Sequence, residues 1–304
     1  MIWLHTTGRA EKNWLRGLDL NQRPSGYEPD ELPGCSTPRN YDSDGAQFKQ
    51  TESGWIRLDS VNFPTELLNQ LRDARKIVAL TGAGISAESG LATFRDAQTG
   101  LWSKFKPEEL ATAEAFRQNP KLVSDWYAWR REQALNAKPN AGHLALAEME
   151  MRAPEFMLVT QNVDGLHLRA GNKQIVELHG NIHRFRCFEN DCPSDNFDVE
   201  HSRCRSCGGN LRPDVVWFGE MLPPAALESA MTAAEECDVF FSIGTSSLVY
   251  PAADLWRRAK NKGALVMEIN RDPTPLTPLA DYSFLGKAGE ILPELVDRIW
   301  IQQP

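Results

Sequence analysis

The chain has 304 residues, one large domain with insertions or about two of ordinary size, so a small disulfide-stapled fold is excluded. Hydrophobic residues make up 41% and charged residues 24%, near the globular average, and no apolar run approaches the roughly 18 residues of a membrane-crossing helix, so a soluble chain with no membrane partner is expected. Lys plus Arg number 33 against 41 Asp plus Glu, a net charge of −8 that argues against nucleic acid as a partner and suits basic protein segments.

Residues 1–57 carry scattered Gly, Pro, Asn and charges, as in GLDLNQRPSGYEPDELPGCSTPRNYDSDG, with neither helical nor strand periodicity. A disordered extension is expected there, and Cys35 within it has no role. The stretch also resembles peptide translated from transfer-RNA-like DNA ahead of a bacterial reading frame, which would put the true start near Leu58 or Val61; a tail that docks a partner is the other reading. A basic region followed by an apolar stretch is missing at the start, so no signal peptide is expected and the expected compartment is the cytoplasm.

The folded part is expected over 58–304. PTELLNQLRDA at 64–74 reads as an amphipathic helix, KIVAL at 76–80 as a strand, TGAGIS at 81–86 as a tight turn, and the small residues after it as a helix. Further apolar runs follow: FMLVTQN at 156–162, IVELHG at 175–180, VVWFG at 215–219, VFFSIGT at 239–245 and LVMEIN at 265–270. Helical patterns such as AALESAMTAAEE and AADLWRRAKNK lie between some of them. Alternation of strand and helix with strands buried on both faces implies an α/β fold, a doubly wound parallel sheet whose ligands bind beyond the carboxyl ends of the strands. TGAGIS, TQNVDGLH, GTSS and INRD all fall at such ends. Two inserts interrupt the sheet, a mostly helical one at about 100–150 and a cysteine-bearing one at about 181–214.

Gly82-Ala83-Gly84-Ile85-Ser86-Ala87 follows a strand and opens a helix, the setting in which backbone N–H groups approach a pyrophosphate. The acidic ribose ligand expected about 20 residues on in ordinary dehydrogenases is missing, which weakens that reading. A tight structural bend is the bland alternative. Gly244, Thr245 and Ser246, with Asn270 and Arg271, supply hydroxyl and amide groups for ribose or phosphate oxygens, or simply cap helices. Cys187-x4-Cys192 and Cys204-x2-Cys207, eleven residues apart, give four soft thiolates able to close a tetrahedral shell around one structural Zn2+ with no open position for water. His183 and His201 are alternative ligands, and Cys237 reads as a core residue. His179 beside Gly180 is a candidate general base, and Asn162 and Asp164 offer an amide and a carboxylate that either orient a ligand or stabilise a turn.

Taken together, TGAGISAESGLATFRD, TQNVDGLH, the His-Gly pair at 179–180, the four-Cys insert, VVWFGE, GTSSLVYP and INRD resemble the sirtuins, NAD-dependent protein-lysine deacylases, over about residues 60–300 in the correct order. The resemblance implies a large Rossmann-like domain and a smaller module of zinc ribbon and helical insert, with NAD as co-substrate and an acyl-lysine peptide in the cleft between. By the same resemblance His179 is the catalytic base. Gly82, Ala83, Gly84, Ser86, Phe94 and Arg95 form the turn and loop over NAD, Gln161, Asn162 and Asp164 the wall around nicotinamide and its ribose, and Gly244, Thr245, Ser246, Asn270 and Arg271 the adenosine end. Trp217, Phe218, Gly219 and Glu220 resemble the strand that pairs with substrate main chain. Asp96 stands where Gly or Ala is more familiar.

Tyr127 and Arg130, three apart on one expected helix face, resemble the pair by which class III sirtuins of the desuccinylase type hold an acidic acyl group, and Ala97 resembles the small residue that leaves room for it. The implied reaction has the acyl oxygen displace nicotinamide, an alkylimidate form, His179 deprotonate a ribose hydroxyl, and water, placed by Asn162, release lysine and 2′-O-acyl-ADP-ribose, while Asp164 orients the nicotinamide. Succinyl, malonyl and acetyl groups are the expected substrates, acylated proteins the partners, and a monomer the expected state. A mono-ADP-ribosyltransferase on the same scaffold and a non-catalytic NAD-sensing module are the rival readings.

Overall fold

The computed structural model describes residues 47–51, 54–58, 63–92 and 106–301. In chain order the strands and α-helices are β1 (Gln47–Thr51), β2 (Gly54–Leu58), α1 (Thr65–Asp73), β3 (Lys76–Thr81), α2 (Ala83–Ala87), α3 (Pro107–Leu110), α4 (Ala113–Gln118), α5 (Pro120–Asn136) and α6 (Ala141–Arg152). They continue with β4 (Glu155–Thr160), α7 (Leu166–Ala170), β5 (Ile175–Glu177), β6 (Gly180–Cys187), β7 (Phe197–Asp198), β8 (Arg203–Cys204), β9 (Leu211–Val215), α8 (Pro224–Glu236), β10 (Val239–Ile243), α9 (Leu255–Asn261), β11 (Leu265–Asn270), β12 (Tyr282–Leu285) and α10 (Ala288–Val296).

The main sheet has the order β2-β1-β12-β11-β10-β3-β4-β5. Its six strands from β12 to β5 are parallel. Parallel strands need helical cover on both faces, and the sequence supplies it: all five residues of β10 are buried, as are five of the six in β3. On one face Leu67 and Leu71 of α1, Leu146 and Met149 of α6 and Leu292 and Leu295 of α10 pack on the strands. On the other, Ala230 and Ala234 of α8 and Leu255 and Ala259 of α9 close the second layer. The chain winds outward from β3 through β4 to β5, then returns to β10 on the other side of β3. The crevice at the carboxyl ends of β3 and β10 is therefore the topological switch point, where open α/β sheets bind ligands.

A third cluster joins the helical insert to β9: Phe116, Val123, Trp126 and Tyr127 pack against Val215 and Trp217. Asn119 begins α5, its side chain accepting from the Leu122 amide at 3.0 Å with Pro120 at the first helical position. At its cysteine end the ribbon formed by β6–β9 has only a small cluster of its own, in which Cys187, Cys204 and Leu211 are buried, while Ile182 and Val215 pack into the helical-insert cluster.

Three expectations need correction. Residues 1–57 were expected to hold no packed element, yet β1 pairs antiparallel with both β12 and β2, extending the sheet at its edge. The helical insert was expected to run to about 150; α6, however, buries Ala145, Leu146 and Met149 in the sheet's own core, because its apolar face meets α10 and β4. The strand expected at 215–219 ends at Val215: β9 pairs with β6 in a separate two-stranded sheet, and beyond it Phe218 makes a single bridge to Thr112.

Candidate active site

The carboxyl ends of β3, β4, β5, β10 and β11 converge on the crevice. From β3, the Gly82 amide donates to Ile243 O at 3.0 Å and the Gly84 amide to Gly244 O at 2.8 Å. A Cβ on Gly84 would lie 2.7 Å from Gly244 Cα, and one on Gly244, which has φ +59°, only 2.4 Å from the Ile85 amide nitrogen. The glycines thus let two loops touch backbone to backbone. The N–H groups of Gly82 and Gly84 donate to the neighbouring loop. The helix expected after the turn is short: α2 spans five residues, too few for a strong macrodipole.

The end of β4 contributes Gln161, Asn162 and Asp164. Gln161 Nε2 donates to Thr245 Oγ1 at 3.2 Å, and Asn270 Nδ2 donates to Thr245 O at 3.1 Å, so the β4, β10 and β11 loops are tied at Thr245. Asn162 Nδ2 donates to Gly82 O at 3.0 Å and to Ser86 Oγ at 3.2 Å. Both amide hydrogens are used, so a water or ribose hydroxyl held by Asn162 is held by Oδ1. Asp164 Oδ1 accepts from the Leu166 amide at 2.9 Å and Oδ2 from the Ser86 hydroxyl at 2.7 Å. Burial raises the Asp164 pKa, opposed by those two hydrogen bonds and by the charges of His183 and Arg130.

His179 follows β5. Its Nδ1 lies 2.9 Å from Gln161 O, which can only accept, so Nδ1 carries the proton and Nε2 presents a lone pair. That Nε2 is buried with no protein partner. Burial lowers the His179 pKa, against the opposing hydrogen bond to Gln161. The ring is neutral at physiological pH and its one unsatisfied atom is a base. Gly180, with φ +78°, allows the turn; a Cβ there would sit 2.1 Å from Asp214 O.

At the module side, Trp217 Nε1 donates to Tyr127 Oη at 2.9 Å, which leaves the phenolic O–H to donate elsewhere. Burial pushes the Tyr127 phenol up to about 12, so it stays a donor. Arg130, one turn on, lies 5.0 Å from the Trp126 ring centroid and interacts electrostatically with Tyr127 and Asp164. Glu220 faces inward, bonding the Arg212 guanidinium and accepting from the Trp217 amide at 2.8 Å. Phe218 N–H donates to Ala111 O at 2.9 Å. Gly219 has φ +84° in the turn that follows. Arg212, which the sequence reading passed over, lies with its Cζ 3.2 Å from the Trp217 ring centroid and fixes that indole. Phe94, Arg95 and Ala97 lie outside the described residues. Ala83 opens α2, Ser246 lies in the loop after β10 and Arg271 directly follows β11.

The four ribbon thiols lie within 4.8 Å of one another, with Cys187 Sγ 3.6 Å from Cys207 Sγ. A tetrahedral zinc–thiolate shell with bonds of about 2.3 Å needs sulfurs about 3.8 Å apart, so the four residues fit a zinc ion. His183 does not join them: its Nε2 is 3.0 Å from Asp164 O, and His201 is bound to Asp198. Cys237 is buried, its thiol donating to Ala234 O. For NAD the fit rests on the orphaned His179 Nε2 and on Ser247 Oγ, buried without a partner in the Thr245 loop. Among the described residues no helix is long and apolar enough to cross a membrane.

The family model described as the Sir2 family matches residues 82–251. A relative from Aquifex aeolicus (strain VF5), named NAD-dependent protein deacylase, is 53% identical over 229 residues, covering 73% of this chain and 95% of its own. A crystal structure of a Sir2 homolog–NAD complex is 46% identical with a TM-score of 0.73, covering 78% of this chain and 94% of that one. A mutant Sir2 homologue in complex with 2′-O-acetyl ADP ribose is 47% identical with a TM-score of 0.72, covering 78% and 96%. The switch-point crevice, the lone-pair histidine and the four-thiol ribbon thus occur together in a chain that belongs to the Sir2 family, the sirtuins.

Proposed function

We propose that this sirtuin removes succinyl and malonyl groups, as well as acetyl, from protein lysines, with NAD as co-substrate. As an NAD-dependent protein deacylase it stands with relatives of that name at about half identity over nearly their whole length. The observation that carries the acidic-acyl reading is the Tyr127–Arg130 pair: a phenol already accepting from Trp217, whose O–H therefore donates, one helical turn from a guanidinium in electrostatic reach of Asp164. A carboxylate at the end of an acyl chain would meet both donors in a water-poor setting, where charge-assisted hydrogen bonds are strongest.

NAD supplies the ribose and the nicotinamide leaving group. His179 Nε2, neutral and unpartnered, takes the proton of the ribose hydroxyl. Asn162 Oδ1 holds water or a hydroxyl, and Asp164, an acceptor at both oxygens, orients the nicotinamide amide. Gly82, Ala83, Gly84, Ser86, Phe94, Arg95, Gln161, Gly244, Thr245, Ser246, Asn270 and Arg271 are read as co-substrate contacts. Trp217, Phe218, Gly219, Glu220 and Ala97 are read as substrate contacts. The four thiols hold zinc as a structural ion that keeps the ribbon folded. The partner is an acylated lysine segment of another protein, met by a cytoplasmic monomer.

Nicotinamide release from NAD, measured with matched succinyl- and acetyl-lysine peptides and with products identified by mass, tests the reading. Arg130→Met should cut desuccinylation ten- to a hundredfold, about the worth of a charge-assisted hydrogen bond, and leave deacetylation within a few fold. Equal loss of both would return the pair to a structural role. ADP-ribosylated peptide in place of O-acyl-ADP-ribose would move the chain to the transferase reading.

A further inference from the structure

The cysteine ribbon reaches the Tyr127 side of the site through a residue with no role assigned so far, Phe188. It directly follows the thiol Cys187 at the end of β6, and its amide donates to Asn210 O at 2.9 Å, so its place is set by the ribbon fold that the four thiols hold. Its half-buried ring packs on Phe116 of α4, with centroids 4.8 Å apart at an interplanar angle of 60°, and lies 6.2 Å from the Trp217 ring. Arg117 Cζ stands 5.5 Å over it.

Trp217 is fully buried, and the rotation of its indole decides where the Nε1–H points. Phe116 meets that ring at 5.3 Å and 46°, Phe188 at 6.2 Å and 48°, and Arg212 of β9 lies over its face. Two of these three neighbours, Phe188 and Arg212, thus belong to the ribbon. A guanidinium over the face tolerates in-plane rotation, because the charge distribution it meets is spread across the ring; the rings packed beside the indole are what fix the rotation. A hydroxyl has one hydrogen and two lone pairs, so while the indole N–H occupies one lone pair of Tyr127 Oη the phenolic hydrogen is turned away from Trp217.

We propose that Phe188 is a positioning residue for acidic acyl groups: from the ribbon it seats the Trp217 indole, and the seated indole keeps the Tyr127 hydroxyl directed at the acyl carboxylate. The ribbon thereby shapes acyl selectivity besides holding its own fold. The inference rests on the acidic-acyl reading of Tyr127 and Arg130, but the seating of the indole does not.

The test is a double-mutant cycle on the full, zinc-loaded chain. Phe188→Leu keeps apolar bulk and removes the ring; it should raise KM for a succinyl-lysine peptide about three- to tenfold, the worth of an aromatic pair, and hold kcat and the KM of the matched acetyl-lysine peptide within about twofold. In a Trp217→Phe background, which lacks the indole N–H, it should leave the ratio of desuccinylation to deacetylation unchanged. Equal losses for the two peptides, or the same further loss in that background, overturn the proposal and leave the deacylase reading standing. Zinc content and Tm are read beside the kinetics, with Phe188→Met made in parallel; release of zinc by both variants would give the ring the task of holding the ribbon and overturn the proposal. Where wild type removes no succinyl group the acidic-acyl reading fails, and hydrogen exchange at the 15N-labelled Trp217 indole, assigned by its loss in Trp217→Phe, judges the seating by itself. Exchange about tenfold faster in Phe188→Leu, relative to that of the buried Trp126, supports the seating, and equal exchange overturns it.

Discussion

Acid is the perturbation that tests the floor of the site most directly. His143 and His167 are buried with ring centroids 4.8 Å apart. Burial brings His143 down to about 4 from 6.5, and burial together with the neighbouring His143 puts His167 well below 6.5. Below pH 6.5 the unfolded chain binds protons that the folded chain refuses, so stability is full above about pH 7 and falls as pH drops. For a shift from 6.5 to about 4 the loss at pH 5 is about 2 kcal/mol, against a total of about 5–15 kcal/mol for a domain, and His167 acts in the same direction. Asp164 and Glu268, whose pKa values burial raises, push the opposite way, and the zinc thiolates add their own proton dependence. A difference between two proteins removes these shared contributions. Urea unfolding of wild type and His143→Gln at pH 8, 7, 6 and 5 should show that the drop between pH 8 and 5 is about 2 kcal/mol smaller in the variant. Equal drops in the two proteins would refute the claim that a neutral His143 is built into the fold.

His179→Ala should keep the fold and NAD binding, measured by calorimetry, while turnover falls about 10²–10⁴-fold, since only the orphaned Nε2 is lost. Gly84→Ala puts a methyl 2.7 Å from Gly244 Cα and O and should lower stability by about 1–3 kcal/mol in urea titration, with weaker NAD binding. Chelation, or Cys204→Ser, should release one zinc per chain by elemental analysis and open the ribbon to protease, because Cys187, Cys204 and Leu211 are the buried residues of the small cluster at its cysteine end.

The parallel sheet was legible because its strands are buried on both faces: KIVAL, VFFSI and LVMEI read as continuous apolar runs bounded by Gly, Thr or Asn. The thiol cluster was legible from spacing alone. The N-terminal hairpin was not, since QFKQT and GWIRL are five residues each, with a periodicity too brief to stand out. VVWFG misled because one apolar run serves two purposes, ending β9 and then seating Trp217 against Tyr127 and Arg212. His143 stayed hidden for a related reason: within AGHLALAEMEM a histidine on a helix reads as ordinary surface. The close approach of Gly82 and Gly84 to Gly244 was not legible, because that partner lies far along the chain and is invisible to any local pattern.

That three-glycine contact sets a limit for redesign. Positions 82, 84 and 244 behave as one letter spelled in two distant places, since a side chain at any of them collides with backbone of the other loop. A nucleotide-binding turn transplanted from another enzyme into residues 81–87 would bring its own curvature and meet the unaltered β10 loop as an obstacle. On the proposed reading, altered co-substrate preference is more accessible through Thr245 and Asn270, whose side chains tie the β4, β10 and β11 loops without crossing that seam. Wholesale exchange of the turn would need both loops to travel together.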